Sequence, residues 1–124
     1  MQYIEQLDRL QTLSLDSTKV VGPGLEHLGK LSQLQELSLS DTRVNDTSLE
    51  HILGLRQLHT LILTSTNVTD AGLHYLEGLT ELKVLCLGET KTSSAGIDKL
   101  RAALPQMHTV AWLDTKTGQG EIAD

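Results

Sequence analysis

The chain repeats itself at an interval of 24 residues over most of its length. A leucine opens each of four copies, and a threonine follows it five residues later. The pairs are Leu13 and Thr18, Leu37 and Thr42, Leu61 and Thr66, and Leu85 and Thr90. A fixed period of about 20–50 residues is typical of small units that cannot bury their apolar faces alone. The period therefore predicts an elongated array of stacked units.

Each copy contains two shorter periods. Leu37 and Leu39 alternate with other residues, which predicts a short strand with its leucines on one side. Leu73, Leu76 and Leu79 then recur at a spacing that predicts one face of a helix of roughly two to three turns.

Helix ends are marked by residue types in fixed columns. Residues favoured at the N-cap recur at Gly22, Asp46, Asp70 and Ser94. Small residues that would let each helix approach the sheet closely follow at Gly24, Ser48, Gly72 and Gly96. Gly54 and Gly78 are predicted to end helices.

Composition excludes several classes of protein. The 124 residues are 39% hydrophobic and include no phenylalanine, so aliphatic side chains of similar volume must fill the core, as repeating layers require. A net charge of −6 argues against a nucleic-acid partner, because such binding depends on clustered Lys and Arg. No segment approaches the ~20 apolar residues of a membrane span, so we expect a soluble chain. The single cysteine, Cys86, rules out an internal disulfide and favours a reducing cytoplasm.

Written out, one copy reads Leu34-x-x-Leu37-x-Leu39-x-x-Thr42-x-Val44, followed by Leu49, Ile52 and Leu55. In this pattern the chain resembles the leucine-rich repeat family, with threonine where the commonest members carry Asn or Cys. The segment Val68-Thr69-Asp70-Ala71-Gly72-Leu73 is similar to the subgroup with a helical convex side, seen in bacterial repeat proteins and ubiquitin-ligase adaptors. The resemblance implies an α/β fold: a right-handed β-α superhelix with a parallel β-sheet on the concave face and short helices on the convex face.

The expected domain spans residues 1–115. It comprises a half-repeat at 1–9, about four full repeats and a C-terminal capping unit near 105–115, in which Trp112 takes a leucine position and covers the last layer. Residues 116–124 have no apolar period and are predicted to be a disordered tail. The threonine column, which extends to Thr115, is interpreted as scaffold whose hydroxyls satisfy backbone groups of the same and the adjacent layer.

No catalytic constellation is present in the sequence. A surface zinc site can be drawn from His27, His51 and a neighbouring column, but its spacing follows from the repeat period, and a solvated helical face is the simpler interpretation. That neighbouring column contains Glu26, Glu50, His74 and Asp98. Cys86 is interpreted as a small filler on the sheet surface. We therefore expect no enzyme activity, no metal and no cofactor.

The residues that alternate with the buried leucines form lanes across the sheet. They are small and mostly uncharged, and Ile62, Val84, Cys86 and Ala111 make a modest apolar patch among them. The resemblance implies that the concave face is the usual binding surface, although short side chains also simply suit a narrow curved sheet. The predicted partner-binding residues are Glu36, Ser38, Ser40, Thr60, Ile62, Thr64, Val84, Cys86, Gly88, Thr109 and Ala111. Past the strands, an acidic lane of Asp41, Glu89 and Asp114 could pair with a basic lane of Lys19, Arg43, Lys91 and Lys116.

These features predict a non-catalytic module that binds a protein partner through the concave face, as a monomer or with weak self-association. One alternative is a structural spacer, or a fragment of a longer array that associates end to end. Another is the substrate-recognition domain of a ubiquitin-ligase adaptor or a bacterial effector.

Overall fold

The structure is a computed structural model, and it describes residues 10–19, 25–107, 109–113 and 120–123. Within these residues six strands form one sheet in the order of the chain. The first five strands pair in parallel, and the sixth pairs antiparallel to the fifth. The strands are β1 (Thr12–Ser14), β2 (Glu36–Ser38), β3 (Thr60–Ile62), β4 (Val84–Leu87), β5 (Thr109–Leu113) and β6 (Gly120–Ala123). We number the coils of the array 1 to 5 by their parallel strands.

Leucines from every coil form one continuous core. Leu37, Leu61, Leu85 and Val110 are register partners across the sheet and are almost fully buried. The buried cluster is entirely aliphatic apart from Met107, and it joins the strand leucines to those on the opposite side of each coil. The prediction of a core without large aromatic rings is confirmed for the described residues. Equal side-chain volumes let each layer pack on the next.

Backbone hydrogen bonds continue the ladder beyond each strand. The amide of Leu39 donates to the Ile62 carbonyl at 2.8 Å, and that of Leu63 donates to the Cys86 carbonyl at 2.8 Å. Two residues later, Asp41 donates to the Thr64 carbonyl at 2.9 Å. Each coil is thereby bonded to the next along more residues than the short strands alone span.

The side opposite the sheet is helical but not uniform. It contains 3-10 helices at Leu28–Lys30 and Thr47–Ile52, and an α-helix at Asp70–Leu73 that continues as a 3-10 helix, His74–Gly78. Among the described residues, an α-helix of the predicted length forms in coil 4, at Ser94–Ala103. A 3-10 helix advances further per residue, so it spans the same distance with fewer residues.

The predicted N-caps are displaced by one residue. Thr69 and Ser93, not the residues after them, cap their helices by accepting from the amides of Ala71 and Gly96. In coil 2, Asn45 accepts from the amide of Ser48 at 3.1 Å, whereas the Asp46 side chain makes no bond within its own helix. The prediction failed because adjacent positions both carry good capping residues, and their type alone does not choose between them.

The aspartates instead reach into the following coil. Asp46 accepts from the backbone amide of Thr69 at 2.7 Å and from its hydroxyl at 2.5 Å. Asp70 makes the same two bonds to Ser93, at 2.8 and 2.6 Å. Each aspartate therefore orients the cap residue of its neighbour.

Two glycines make room for these carboxylates. A Cβ at Gly72 would lie 2.2 Å from Asp46 Oδ1, and one at Gly96 would lie 2.2 Å from Asp70 Oδ1. Close approach of the helix to the sheet was the expected reason for small residues here, but the contact that demands glycine is with the preceding coil.

Each strand leaves through the same threonine turn. The hydroxyls of Thr18, Thr42, Thr66 and Thr90 donate to the carbonyl three residues earlier, at 2.7 Å in all four coils. These bonds confirm the scaffold role within a layer but do not extend to the adjacent layer. The residue before each threonine has a left-handed backbone, with φ between 56° and 59°, at Ser17, Asp41, Ser65 and Glu89. None of them is glycine, so this conformation could not be predicted from residue type.

The C-terminal strand corrects one prediction. Gly120–Ala123 is paired with β5 as strand β6, so the prediction of a disordered tail is wrong for these residues. The strand covers the outer edge of β5 and supplies hydrogen-bond partners to an edge that would otherwise lack them. Trp112 takes the register position of Leu87, as expected. Several predictions concern residues outside the described ranges: the half-repeat at 1–9, Gly22, Gly24, Asp114, Thr115 and Lys116.

Candidate binding face

The predicted lanes are in register on the face of the sheet that points away from the core, here called the exposed sheet face. Thr12, Glu36, Thr60, Val84 and Thr109 are successive backbone partners. Ser14, Ser38, Ile62, Cys86 and Ala111 form the next lane. The third lane, Ser40, Thr64 and Gly88, lies where backbone amides of the preceding coil donate to its carbonyls. Eight of the eleven predicted residues therefore lie on the strands of one sheet, and the other three, Ser40, Thr64 and Gly88, lie just beyond the strand ends.

The apolar part of this face lies on coils 3 and 4. Ile62 and Cys86 are backbone partners, Val84 lies on the same strand as Cys86, and all three side chains are half-buried. Burial raises the pKa of the Cys86 thiol, because removing water disfavours the charged thiolate. Ala111 continues the lane as the partner of Cys86. The described side chains of Ile62, Val84 and Cys86 are called the apolar patch below.

The polar part lies on coils 1 and 2. The Thr12 hydroxyl donates to Glu36 Oε2 at 3.1 Å. Asp16 Oδ1 accepts from the Ser38 hydroxyl at 2.5 Å and from the Ser40 amide at 2.9 Å. A hollow of about 150 Å³ lies between this part and Ile62, with Glu36 on its wall. The exposed sheet face thus passes from acidic and hydroxyl-bearing to apolar along the array.

One histidine at the edge of the face was not predicted to belong to it. His59 immediately precedes β3, and its Nε2 lies 3.2 Å from Gln35 Oε1. Its Nδ1 lies 3.3 Å from the Thr60 hydroxyl. The contact with Gln35 follows from the repeat, since Gln35 stands one period before His59, whereas Thr60 is the next residue in the chain. The column position of His59 was visible in the sequence, but its polar partners depended on the register of the strands.

The charged lanes past the strands do not pair with each other among the described residues. The acids accept from serines of the preceding coil instead: Ser17 donates to Asp41 at 3.1 Å, and Ser65 donates to Glu89 at 2.7 Å. The left-handed backbone at these four positions directs the serine and acid side chains toward one another. The predicted salt bridges along this rim are therefore wrong for Lys19, Arg43 and Lys91.

The helical side shows no metal cluster in the part of the chain that the structure describes. His74 Nδ1 lies 3.2 Å from Glu77 Oε2 within the same turn. His51 is half-buried and Glu50 is exposed on the 3-10 helix of coil 2. The absence of a metal site stays a prediction from the sequence.

Among the described residues, no helix combines the length and apolar character needed to cross a membrane. In class, the protein is a solenoid of β-strand and helix coils, with one sheet of five parallel strands and an antiparallel sixth. The predicted leucine-rich repeat fold is confirmed by the similarity of the chain to solved structures. No protein-family model matches the chain, and no curated protein matches it either.

Three bacterial structures illustrate this similarity. An internalin C2 of Listeria monocytogenes is 27% identical, with a TM-score of 0.68, over 89% of this chain and 43% of its own. A second internalin of the same organism is 20% identical, with a TM-score of 0.57, over 89% of this chain and 37% of its own. A leucine-rich repeat protein of Leptospira interrogans is 21% identical, with a TM-score of 0.59, over 89% of this chain and 33% of its own. The chain therefore spans less than half the length of each.

Proposed function

We propose that this protein is a non-catalytic module that binds a protein partner through the exposed sheet face. The observation that carries the proposal is the apolar patch, in which Ile62, Val84 and Cys86 lie side by side on adjacent strands. Apolar side chains that are only half-buried, surrounded by polar groups, are typical of the centre of an interface. The leucine-rich repeat fold supports the general class of interaction module.

The sheet offers a partner a surface that needs little rearrangement. Its strands are bonded on both sides from β2 to β5, so a partner meets a fixed backbone. A preorganised surface loses less conformational entropy on binding. The polar part beside the patch supplies hydroxyl and carboxylate groups that can fix the orientation of the partner.

The test is to place a charge in the apolar patch. We expect Val84→Asp to weaken capture of the partner by at least about tenfold, because an aspartate in the centre of an interface is buried without a counter-charge. Affinity purification with the wild-type chain as bait identifies partners, and titration calorimetry then measures each variant. Ala102→Asp is the matched control, since it adds the same charge at an exposed helix position.

The variant must stay folded for its binding to be interpreted. Circular dichroism and thermal melting of Val84→Asp should match those of the wild type, because the side chain is replaced on the exposed face and not in the core. A partner that binds Val84→Asp and Ala102→Asp equally well would show that the apolar patch is not the site. The exposed sheet face would then no longer be proposed as the binding site.

The other predicted roles have less support. End-to-end stacking through the C-terminal edge would require β6 to leave β5, since β6 occupies the position of the next parallel strand. The roles of bacterial effector and ligase adaptor rest on the resemblance of the sequence alone. A reducing cytoplasm remains the proposed location, because Cys86 is a free thiol.

A further inference from the structure

A cleft of about 340 Å³ opens on the helical side between coils 3 and 4. Its apolar lining comes from Ala71 and Leu73 on one coil and Ala95 and Leu100 on the next. Glu77 and Lys99 stand at its margins. Sites for small ligands or anchoring side chains fall at about 300–1,000 Å³, so the cleft is large enough for one aromatic ring.

The preceding junction of coils shows what such a cleft accommodates. One period before Lys99 stands Tyr75, and the position equivalent to Glu77 in coil 2 is Leu53. Tyr75 is half-buried and packs against the core, and Leu53 is also half-buried. Two bulky apolar side chains therefore occupy the positions that charged residues occupy at the next junction. The repeat itself supplies an intramolecular example of a phenol ring at this place.

The charged side chains at the cleft favour a ligand that carries a carboxylate next to the aromatic ring. Glu77 is engaged with His74 at 3.2 Å, and Asp70 accepts two hydrogen bonds from Ser93. Lys99 is exposed and makes no hydrogen bond or ion pair with any residue that the structure describes. Its ammonium can pair with a carboxylate or lie against an aromatic face.

We propose that this cleft binds an aromatic side chain of a partner protein, flanked in that partner by a carboxylate that pairs with Lys99. The ring would take the place that Tyr75 takes one coil earlier, over the alanine and leucine floor. This site is separate from the exposed sheet face, so a partner could engage either or both. Its chemistry is that of a short acidic segment with a Tyr, Phe or Trp anchor.

Three acetylated tripeptide amides test the proposal by amide chemical shifts of the full chain. The sequences are Asp-Tyr-Gly, Asp-Leu-Gly, which lacks the ring, and Lys-Tyr-Gly, which reverses the charge. We expect the first to perturb Ala71, Leu73, Ala95 and Gly96 with the highest affinity. Reversing the charge should weaken binding by about three- to fivefold, as for an exposed ion pair. No perturbation of these amides up to the solubility limit of the first peptide would overturn the proposal.

Two reciprocal variants make the test specific to the cleft. Lys99→Tyr places a ring where the ligand would go, so it should abolish the perturbations. Tyr75→Lys should open a second cleft and create new perturbations at Thr47 and Gly72. If Tyr75→Lys does not fold, Lys99→Tyr alone decides, because position 99 is exposed. Perturbations that persist in Lys99→Tyr, or that fall on β3 and β4, would refute the site.

Discussion

The two sides of each coil obey different rules. On the strand side, the threonine bond is 2.7 Å long in four successive coils and the left-handed φ varies by only 3°. On the helical side, consecutive coils carry a 3-10 helix, a mixed helix and a ten-residue α-helix. Strand residues bond to coils above and below, so any change must suit three layers. Helical residues bond mainly within their own coil, so they need only bury their leucines.

The difference shows where such an array can specialise. The uniform strands place equivalent residues in lanes across the sheet. The coils therefore differ on this side only in the side chains that face away from the core. The helical side varies in backbone and in side chains. A cleft lies between coils 3 and 4, where Lys99 stands at the position that Tyr75 has one coil earlier. The helical side should not tolerate substitution, however, where an aspartate accepts hydrogen bonds from the following coil.

The largest effect is therefore expected from Gly72→Ala. The added Cβ would lie 2.2 Å from Asp46 Oδ1, whose carboxylate is held by two bonds to Thr69. Expelling the carboxylate loses hydrogen bonds to a charged group, so we expect a loss of about 1.5–3 kcal/mol in the free energy of unfolding. Chemical denaturation measures it. A loss below about 0.5 kcal/mol, the usual range for surface changes, would mean that the helical side is tolerant throughout.

A double variant makes this prediction sharper. Asp46→Gly with Gly72→Ser reproduces the pairing that the sequence has at Gly22 and Ser48, one coil earlier. Since Asp46→Gly removes the carboxylate, the Cβ at position 72 should cost less in the double variant than in Gly72→Ser alone. Additive losses would show that the two residues do not interact.

A smaller effect is expected on the strand side from Ser65→Val. Ser65 has a φ of 59°, which a β-branched residue adopts only with strain. We expect a loss of about 1–2 kcal/mol in unfolding free energy. Ser65→Asn is the matched control, because asparagine tolerates the left-handed region. Equal losses for both variants would assign the effect to the Ser65–Glu89 hydrogen bond at 2.7 Å instead of the backbone.

The fold followed from the sequence because its signals are periodic and local. The alternation around Leu37, Leu61 and Leu85 predicted which side of each strand is buried, since a strand shifted by one residue would expose its leucines. The parallel sheet was implied by the resemblance to the leucine-rich repeat family. The exposed lanes followed from the same register. Whether those residues bind a partner stays a prediction.

What could not be predicted depends on contacts between coils. Asp46 and Thr69 are both good N-cap residues. Only their placement in adjacent coils shows that Thr69 caps its helix and that Asp46 bonds to Thr69. The cleft at Lys99 likewise requires two coils side by side. The left-handed turns had no glycine to mark them, and β6 had no apolar period.

The smallest effect concerns Cys86, which lies on the exposed sheet face. Burial raises the pKa of its thiol. In the unfolded chain the thiol has its ordinary pKa, so as pH rises through that value the unfolded state loses its proton first and becomes favoured. Wild-type stability should therefore fall slightly more than that of Cys86→Ala at alkaline pH, and the two should run parallel at neutral pH. Thermal melts across this range measure the difference, and reaction of Cys86 with iodoacetamide at neutral pH should be slower than in the denatured chain. Equal alkylation rates in the folded and the denatured chain would show that the Cys86 thiol is fully solvated, which would contradict its partial burial in the apolar patch.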